Sequence, residues 1–443
     1  MAEKIKPSLK NNVGWLFGVF SIQYCIHAIM YLGNTTGTYY FNSSMAVIAK
    51  SLTDNMVLVG LLASIYSVTA MVCRPLSGIM CEKYGRIKTN VIGLIFTALA
   101  IVGFMLSPNI YWLLFSRVIN GIAFSMTSSA NYAGGADLSP EDNLPLGIGW
   151  FGNMSRLSSF IGPSVAAWGM EQYNATGSWM ALYAVALATT VFSLLLCIPL
   201  NYEKMPWFKE RQARAKEERE NKENNKPVDG PVLPQMKKIF GMTSAAWVCW
   251  AMLMFEAAGH QSVGAYLLLS ANERGLTGLA SYFLLQTVGM FVASGLLCPL
   301  TKKIGTFKIL APIFVIAVFC YIGFANATST LMLCIIAPFY GLLHGTCAAV
   351  NNTNIVASCP LDRRGFASSM YLLAIDVGYG IGPFIWALVI QAVGYANMYY
   401  FTTICPIASL ILLCIYWFKW GKNIFTSTRD WEIKQKELVA ANA

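Results

Sequence analysis

Residues 56–107 read MVLVGLLASIYSVTAMVCRPLSGIMCEKYGRIKTNVIGLIFTALAIVGFMLS. Two apolar runs, 56–81 and 88–107, flank the short charged turn between them. As helices rising 1.5 Å per residue, roughly 20 such residues cross the ~30 Å hydrocarbon core of a bilayer. The segment therefore reads as two membrane spans joined by a tight turn at Gly85.

The pattern continues in both directions. Spans are expected at about 13–37, 56–81, 88–107, 110–134, 145–170 and 176–199, then at 243–269, 277–300, 307–325, 329–352, 366–391 and 396–418. Of the 443 residues, 56% are hydrophobic and only 12% charged, and the mean hydropathy is +0.53. That is too little charge to cover a soluble protein of this size. The polar start, MAEKIKPSLKNN, runs into the first apolar segment without a cleavage signature, so that segment is read as a retained span. The four domains expected are a six-helix bundle at 1–200, a cytoplasmic linker at 201–238, a second bundle at 239–419 and a cytoplasmic tail at 420–443.

The formal charge of +10 does not point to nucleic acid, because the charges sit in loops and tails between apolar runs. Of the 31 Lys and Arg residues, only Lys50 and Arg274 fall in the outer loops when both termini are cytoplasmic. Arg74, Arg117 and Arg156 lie inside spans, and the other 26 lie on the inner side. This asymmetry follows the positive-inside rule and puts both ends in the cytoplasm. The twelve cysteines show neither CxxC pairs nor metal-ligand spacing and read as small packing residues, so no metal or cofactor is expected.

The two halves repeat at a constant shift of 220 residues. Gly85 falls on Gly305, Lys88 on Lys308, Gly121 on Gly341, Asn131 on Asn351, Pro140 on Pro360, Asp142 on Asp362, Gly162 on Gly382 and Pro163 on Pro383.

Three motifs accompany this repeat. RPLSGIMCEKYGRIK, Arg74 to Lys88, resembles the loop signature G-x-x-x-D-x-x-G-R-K of the major facilitator superfamily. Gly78, Gly85, Arg86 and Lys88 match it, and Glu82 replaces the aspartate. LLFSRVINGIAFS resembles the family's R-x-x-q-G pattern at Arg117, Asn120 and Gly121. Gly149, Ser158, Gly162 and Pro163 resemble the G-x8-G-x3-G-P motif of drug–proton antiporters, and Ser369, Gly378, Gly382 and Pro383 repeat it in span eleven.

The wording is most like the drug- and sugar-efflux branch. The resemblance implies an all-α fold of twelve transmembrane helices in two six-helix, pseudo-symmetric bundles, with substrate bound near the midplane. It also implies a cytoplasmic gate of Gly78, Glu82, Gly85, Arg86 and Asp137, with close helix approach at Gly78. The remaining expectations are a helix bend at the two G-P motifs, a monomer, and a place in a bacterial cell membrane. The second copy of the loop, LTKKIGTFK, has Lys302 where Glu82 stands, so such a gate is asymmetric.

Charges at helix centres cost roughly 2.5–3.5 kcal/mol on insertion scales, which makes each a functional candidate. Arg74, Arg117, Arg156, Glu256 and Asp376 are those charges. Arg74 is close enough to the inner end to snorkel. For Arg117 the resemblance implies a part in proton transfer; an anchoring role for its neighbours is the alternative. Arg156 and Asp376 differ by the repeat shift and are expected to flank the substrate from opposite sides.

Glu256 and His260 are four apart and share a helical face. Burial disfavours a charged carboxylate in general, so such groups exchange protons. Glu256 is the first choice of proton carrier, Asp376 the second, and His260 assists. The substrate-binding set is Arg156, Asp376, Glu256, Arg117 and His27; His27 and His344 are weaker proton candidates. The function expected is export of a small organic solute by proton exchange. Uptake or exchange of an organic anion or zwitterion is the alternative. A transporter-like sensor without flux is a third possibility, and no nucleophile cluster or phosphate loop supports an enzyme.

Overall fold

The computed structural model describes residues 21–139, 144–210, 212–213, 238–239, 242–297, 300–301, 304–357 and 364–421. The N-terminal twenty residues, the bulk of the linker and the end of the tail lie outside them, as do Pro140, Asp142, Pro360, Asp362 and Lys302.

The described residues form α1 (Ile22–Leu52), α2 (Met56–Tyr84), α3 (Arg86–Met105), α4 (Ile110–Leu138), α5 (Leu144–Thr176) and α6 (Met180–Leu196). After the linker come α7 (Ser244–Glu273), α8 (Ala280–Val292, continued by a π turn to Leu297), α9 (Thr306–Asn326), α10 (Thr330–Ala357), α11 (Arg364–Thr402) and α12 (Ile404–Tyr416). One small antiparallel ladder, Lys238–Ile239 (β1) with Met242–Thr243 (β2), precedes α7.

Seven helical stretches among the described residues are long and apolar enough to cross a membrane. One of them, Ser369–Lys419, has 51 residues. That is about 75 Å of helix, enough for two crossings, and it breaks at Gly394, where φ is 81°. The chain turns there between the eleventh and twelfth spans. The other four helices fall short for simple reasons. α6 has 17 residues, and α1, α5 and α7 carry the polar side chains of the interior.

Polarity is arranged inside out relative to a soluble protein. Val72, Leu76, Leu99, Phe319 and Leu331 are exposed, whereas Arg117, Asn131, Ser158, Glu256 and Asn351 are buried. Apolar side chains outward and polar ones inward suit a hydrocarbon solvent, in which helices satisfy their own backbone.

α1 departs from the expected first span, which ended near residue 37; it continues to Leu52. The polar run that suggested an end is absorbed by packing: Thr35, Thr36, Ser43 and Ser44 are all buried. The Thr35 hydroxyl bonds the carbonyl of Tyr31, one turn earlier on its own helix.

Contacts divide the chain into two compact units. One comprises residues 1–41 and 69–226, the other 42–68 and 227–443. The end of α1 and the start of α2 therefore group with the second unit. Gly60 shows why: a Cβ there would stand 2.3 Å from the Ala387 Cβ on α11.

Within each unit the repeat recurs as local geometry. α3 and α9 both start after a glycine in the left-handed half of backbone space, Gly85 at φ 94°, ψ 163° and Gly305 at φ 90°, ψ 158°. L side chains rarely adopt that conformation, so glycine stands at both turns. At Gly162 a Cβ would meet Thr36 O and Tyr40 N of α1 at 2.8 Å, and at Gly382 it would meet Ala258 O of α7 at 2.8 Å. Helix α5 crosses α1 at one glycine, and α11 crosses α7 at its counterpart.

Gly78 corrects the expectation of close helix approach: nothing stands within 4 Å of a Cβ placed there. Gly149 lies within α5.

Candidate functional site

The second unit gathers the titratable groups. Glu256 is buried on α7, and one turn later His260 lies on the same face, also buried. α10 supplies a matching i, i+4 pair, Tyr340 and His344. Glu256 Oε1 lies 2.8 Å from His344 Nδ1. His260 Nδ1 lies 3.0 Å from the Tyr340 hydroxyl. The two imidazoles stack face to face, centroids 3.8 Å apart and planes 9° apart. Tyr379, from α11, also lies near-parallel to His260, centroids 6.2 Å apart.

The result is a column of rings along which hydrogen bonds alternate between α7 and α10. Glu256 Oε2 is buried and meets no hydrogen-bond partner among the described residues. Tyr321, Tyr340, Cys347 and Cys405 are further titratable groups in electrostatic range of this carboxyl.

Glu256, His260 and His344 offer three ligand atoms within 4.8 Å of one another, a donor set that zinc accepts. The ring geometry argues against coordination in this arrangement. A metal binds in the plane of each imidazole, and two near-parallel planes 3.8 Å apart cannot both contain it. Each Nδ1 is also already engaged, one with Glu256 and one with Tyr340. What the cluster can do as it stands is hold a proton between carboxylate and imidazole.

Asp376 is buried on α11. His27, Arg117 and Arg156 lie in the first unit, each with its own partners. His27 Nε2 lies 3.2 Å from Asn131 O, and its ring stacks on Phe151 at 5.4 Å. Arg117, 1% exposed, donates to Asn120 Oδ1 at 2.9 Å. Arg156 is half-buried on α5 and donates to Asn153 Oδ1. Ser158 bridges to α1 through the Thr35 hydroxyl at 2.6 Å.

The turn between α2 and α3 is held by a residue that the motif does not contain. Glu82 is exposed. The carboxylate at the α3 N-terminus is Glu203, from the turn Tyr202–Lys204 after α6. Glu203 accepts the backbone N–H of Arg86 and, at 3.2 Å, that of Ile87. A carboxylate there satisfies orphan donors and faces the positive end of the helix dipole.

Arg86 Nε lies 2.8 Å from Asp137 Oδ2. Both atoms lack a well-aligned hydrogen bond, so the contact is an ion pair without a directed N–H. Tyr202 and Phe208 are buried beside them with Tyr24, Tyr31 and Phe151. The expected linker therefore begins as packed structure. Burial pushes the Tyr202 phenol well above its ordinary value. His344, Tyr340 and Glu203 gained their importance from the structure. For the first two a signal existed: their four-residue spacing mirrors that of Glu256 and His260.

Comparison with known proteins is consistent across sequence and structure. The family model for the Major Facilitator Superfamily matches residues 27–337 and 285–429. The multi-drug resistance efflux pump PmrA of Streptococcus pneumoniae is 24% identical over 359 residues, covering 78% of this chain and 82% of that protein. Among solved structures, a POT family transporter in complex with a thioalcohol-conjugated peptide superposes with TM-score 0.67 at 14% identity, over 90% of this chain and 96% of that one. A bacterial homolog of the human lysosomal transporter Spinster, inward-facing and unoccupied, gives 0.65 at 14% identity, over 89% and 94%. With several helices apolar enough to cross a membrane, a repeated glycine geometry and a family match across both halves, the chain belongs to the Major Facilitator Superfamily: it is an integral membrane transporter, not an enzyme.

Proposed function

We propose that this transporter exports a small organic solute in exchange for protons, by alternating access, with the Glu256–His344 pair as the proton carrier. The observation that carries the reading is the 2.8 Å contact between the buried Glu256 carboxyl and His344 Nδ1, with the second carboxyl oxygen left unbonded. Such a pair takes up one proton without leaving a net charge in a low-dielectric span, and releases it when water reaches the site. Asp376 is the second carrier on this reading, and His260 with Tyr340 holds the His344 ring in place.

The similarity to a multi-drug efflux pump over 78% of the chain supports export. The excess of Lys and Arg in alternate loops supports cytoplasmic termini, and the bacterial relatives support a bacterial cell membrane; a monomer is the oligomeric state proposed. Arg86, Asp137, Gly85 and Glu203 form the cytoplasmic gate, which opens and closes as one preassembled group.

Arg156, whose partner within its own unit is the neutral Asn153, also favours a reading with direction reversed, in which an organic anion is taken up or exchanged. Flux in proteoliposomes under an imposed pH gradient tests both. Export predicts that solute accumulates against an outward-directed proton gradient and that Glu256→Gln abolishes this. Solute movement that ignores the pH gradient, in wild type and variant alike, overturns the proton-coupled reading.

A further inference from the structure

The three span arginines of the first unit are housed differently. Arg74 lies over the Phe124 ring and donates to the Ser128 hydroxyl. Arg117 is sealed, 1% exposed, beside Asn120. Arg156 is only half-buried, near the middle of the 33-residue α5, and no carboxylate of its own unit pairs with it among the described residues. A guanidinium at this depth is costly unless a counter-charge or water meets it, and such residues as a rule face a protein interior rather than lipid.

The face on which it stands is open. Gly152 precedes Arg156 by one helical turn on the same stripe, and nothing lies within 4 Å of a Cβ built there. Phenols surround that opening. Tyr39 is within range of the Arg156 charge, and its hydroxyl lies 3.4 Å from the Ser155 hydroxyl. Tyr31 stands within electrostatic range of both Ser155 and Tyr132. The Tyr132 ring packs edge-on against Tyr31 at 5.9 Å yet is 44% exposed. One charged fork, several hydroxyl groups and exposed aromatic surface thus meet on one side of α1, α4 and α5.

We infer that this face binds the carboxylate of an amphiphilic organic monoanion, with Arg156 gripping the carboxylate and Tyr39 and Tyr132 covering the apolar body. The guanidinium presents two parallel N–H groups that match a carboxylate, and its pairing is worth most where water is scarce. The Arg156 guanidinium carries one positive charge, which a monocarboxylate balances one to one. Aromatic rings with polar tips accept varied apolar bodies at low entropic cost. The inference rests on the reading of the chain as a transporter of organic solutes, and names the class it recognises.

The test is binding to the purified full-length protein in detergent at one fixed pH, without any gradient. The probes are aryl-alkanoates of two to six methylenes, each compared with the amide and the amine on the same skeleton. The expected result is a carboxylate preference of about tenfold or more over the amide in the wild type, the scale of one lost charged pairing. Arg156→Gln removes the preference, Arg156→Lys retains part of it, and both variants keep the wild-type elution profile and melting temperature. A wild type without carboxylate preference, or a preference that survives Arg156→Gln, overturns the inference. Because no proton gradient enters the measurement, failure of proton coupling leaves this result untouched, and failure here leaves proton coupling standing.

Discussion

His344 Nδ1 on α10 stands 2.8 Å from Glu256 Oε1 on α7, and the imidazole above it, His260, is stacked 3.8 Å away. The pair links two helices through one proton. Moving a proton between that nitrogen and that oxygen leaves the net charge of the pair the same and changes only whether charge is separated across the contact.

The first prediction separates coupling from binding. Glu256→Gln keeps the shape of the side chain and its capacity to bond His344, but cannot carry a proton. Solute movement driven by a pH gradient should fall by more than about tenfold, the usual scale for removing a proton-transfer group. Counterflow of labelled against unlabelled solute, which needs no proton, should persist. His344→Gln should show the same split. Loss of counterflow and driven flux together would assign both residues to substrate binding instead.

The second prediction concerns metal. The stacked rings leave no common plane for a cation, and both Nδ1 atoms are already occupied. Treatment with EDTA and repurification in metal-free buffer should therefore leave flux unchanged. Added zinc can bind only by prying the rings apart, so it should inhibit, and Glu256→Gln should weaken that inhibition. Flux that collapses on chelation and returns with zinc would make the cluster a metal centre.

The third prediction contrasts two carboxylates near one turn. Glu203 caps α3 through two backbone N–H groups, whereas Glu82 is exposed. Glu203→Ala should cost about 1 kcal/mol, the typical loss of a helix cap, seen as a fall of about 1–2 °C in apparent melting temperature. Glu82→Ala should be close to neutral in the same assay. The opposite ranking would return the gate's carboxylate to the position at which the loop motif has its aspartate.

That contrast shows where sequence reading stops. The spans were legible because hydrocarbon imposes a length and a polarity that a chain cannot avoid. The turn glycines were legible because Gly85 and Gly305 recur at the repeat shift and adopt φ of 94° and 90°. Glu256 and His260 were legible as a pair because four residues make one helical face. Glu203 was not, since it reaches Arg86 from 117 residues further along the chain. Neither was the partnership of His344, a lone histidine in an apolar run, whose neighbour Glu256 lies 88 residues earlier. Gly78 was misread because a motif records which residue stands at a position, not what stands opposite it.

The last prediction follows from that difference among glycines. At Gly162 a Cβ would lie 2.7 Å from the Tyr39 Cβ and 2.8 Å from two backbone atoms of α1, and at Gly382 it would lie 2.8 Å from Ala258 O. These neighbours are backbone or, for the Tyr39 Cβ, fixed directly to it, and cannot swing aside as the end of a long side chain does. An added methyl group must therefore push two helices apart, and overpacking of this kind costs typically 1–3 kcal/mol. Gly162→Ala and Gly382→Ala should each lower the yield of monodisperse protein and its melting temperature. Gly78→Ala, facing open space, should leave both unchanged. The comparison is informative because all three glycines belong to motifs and only their surroundings differ. Equal loss of stability at all three would mean that Gly78 has a close neighbour after all, whereas a Gly78→Ala variant of wild-type stability but reduced flux would mean that it meets one in another conformation of the transport cycle.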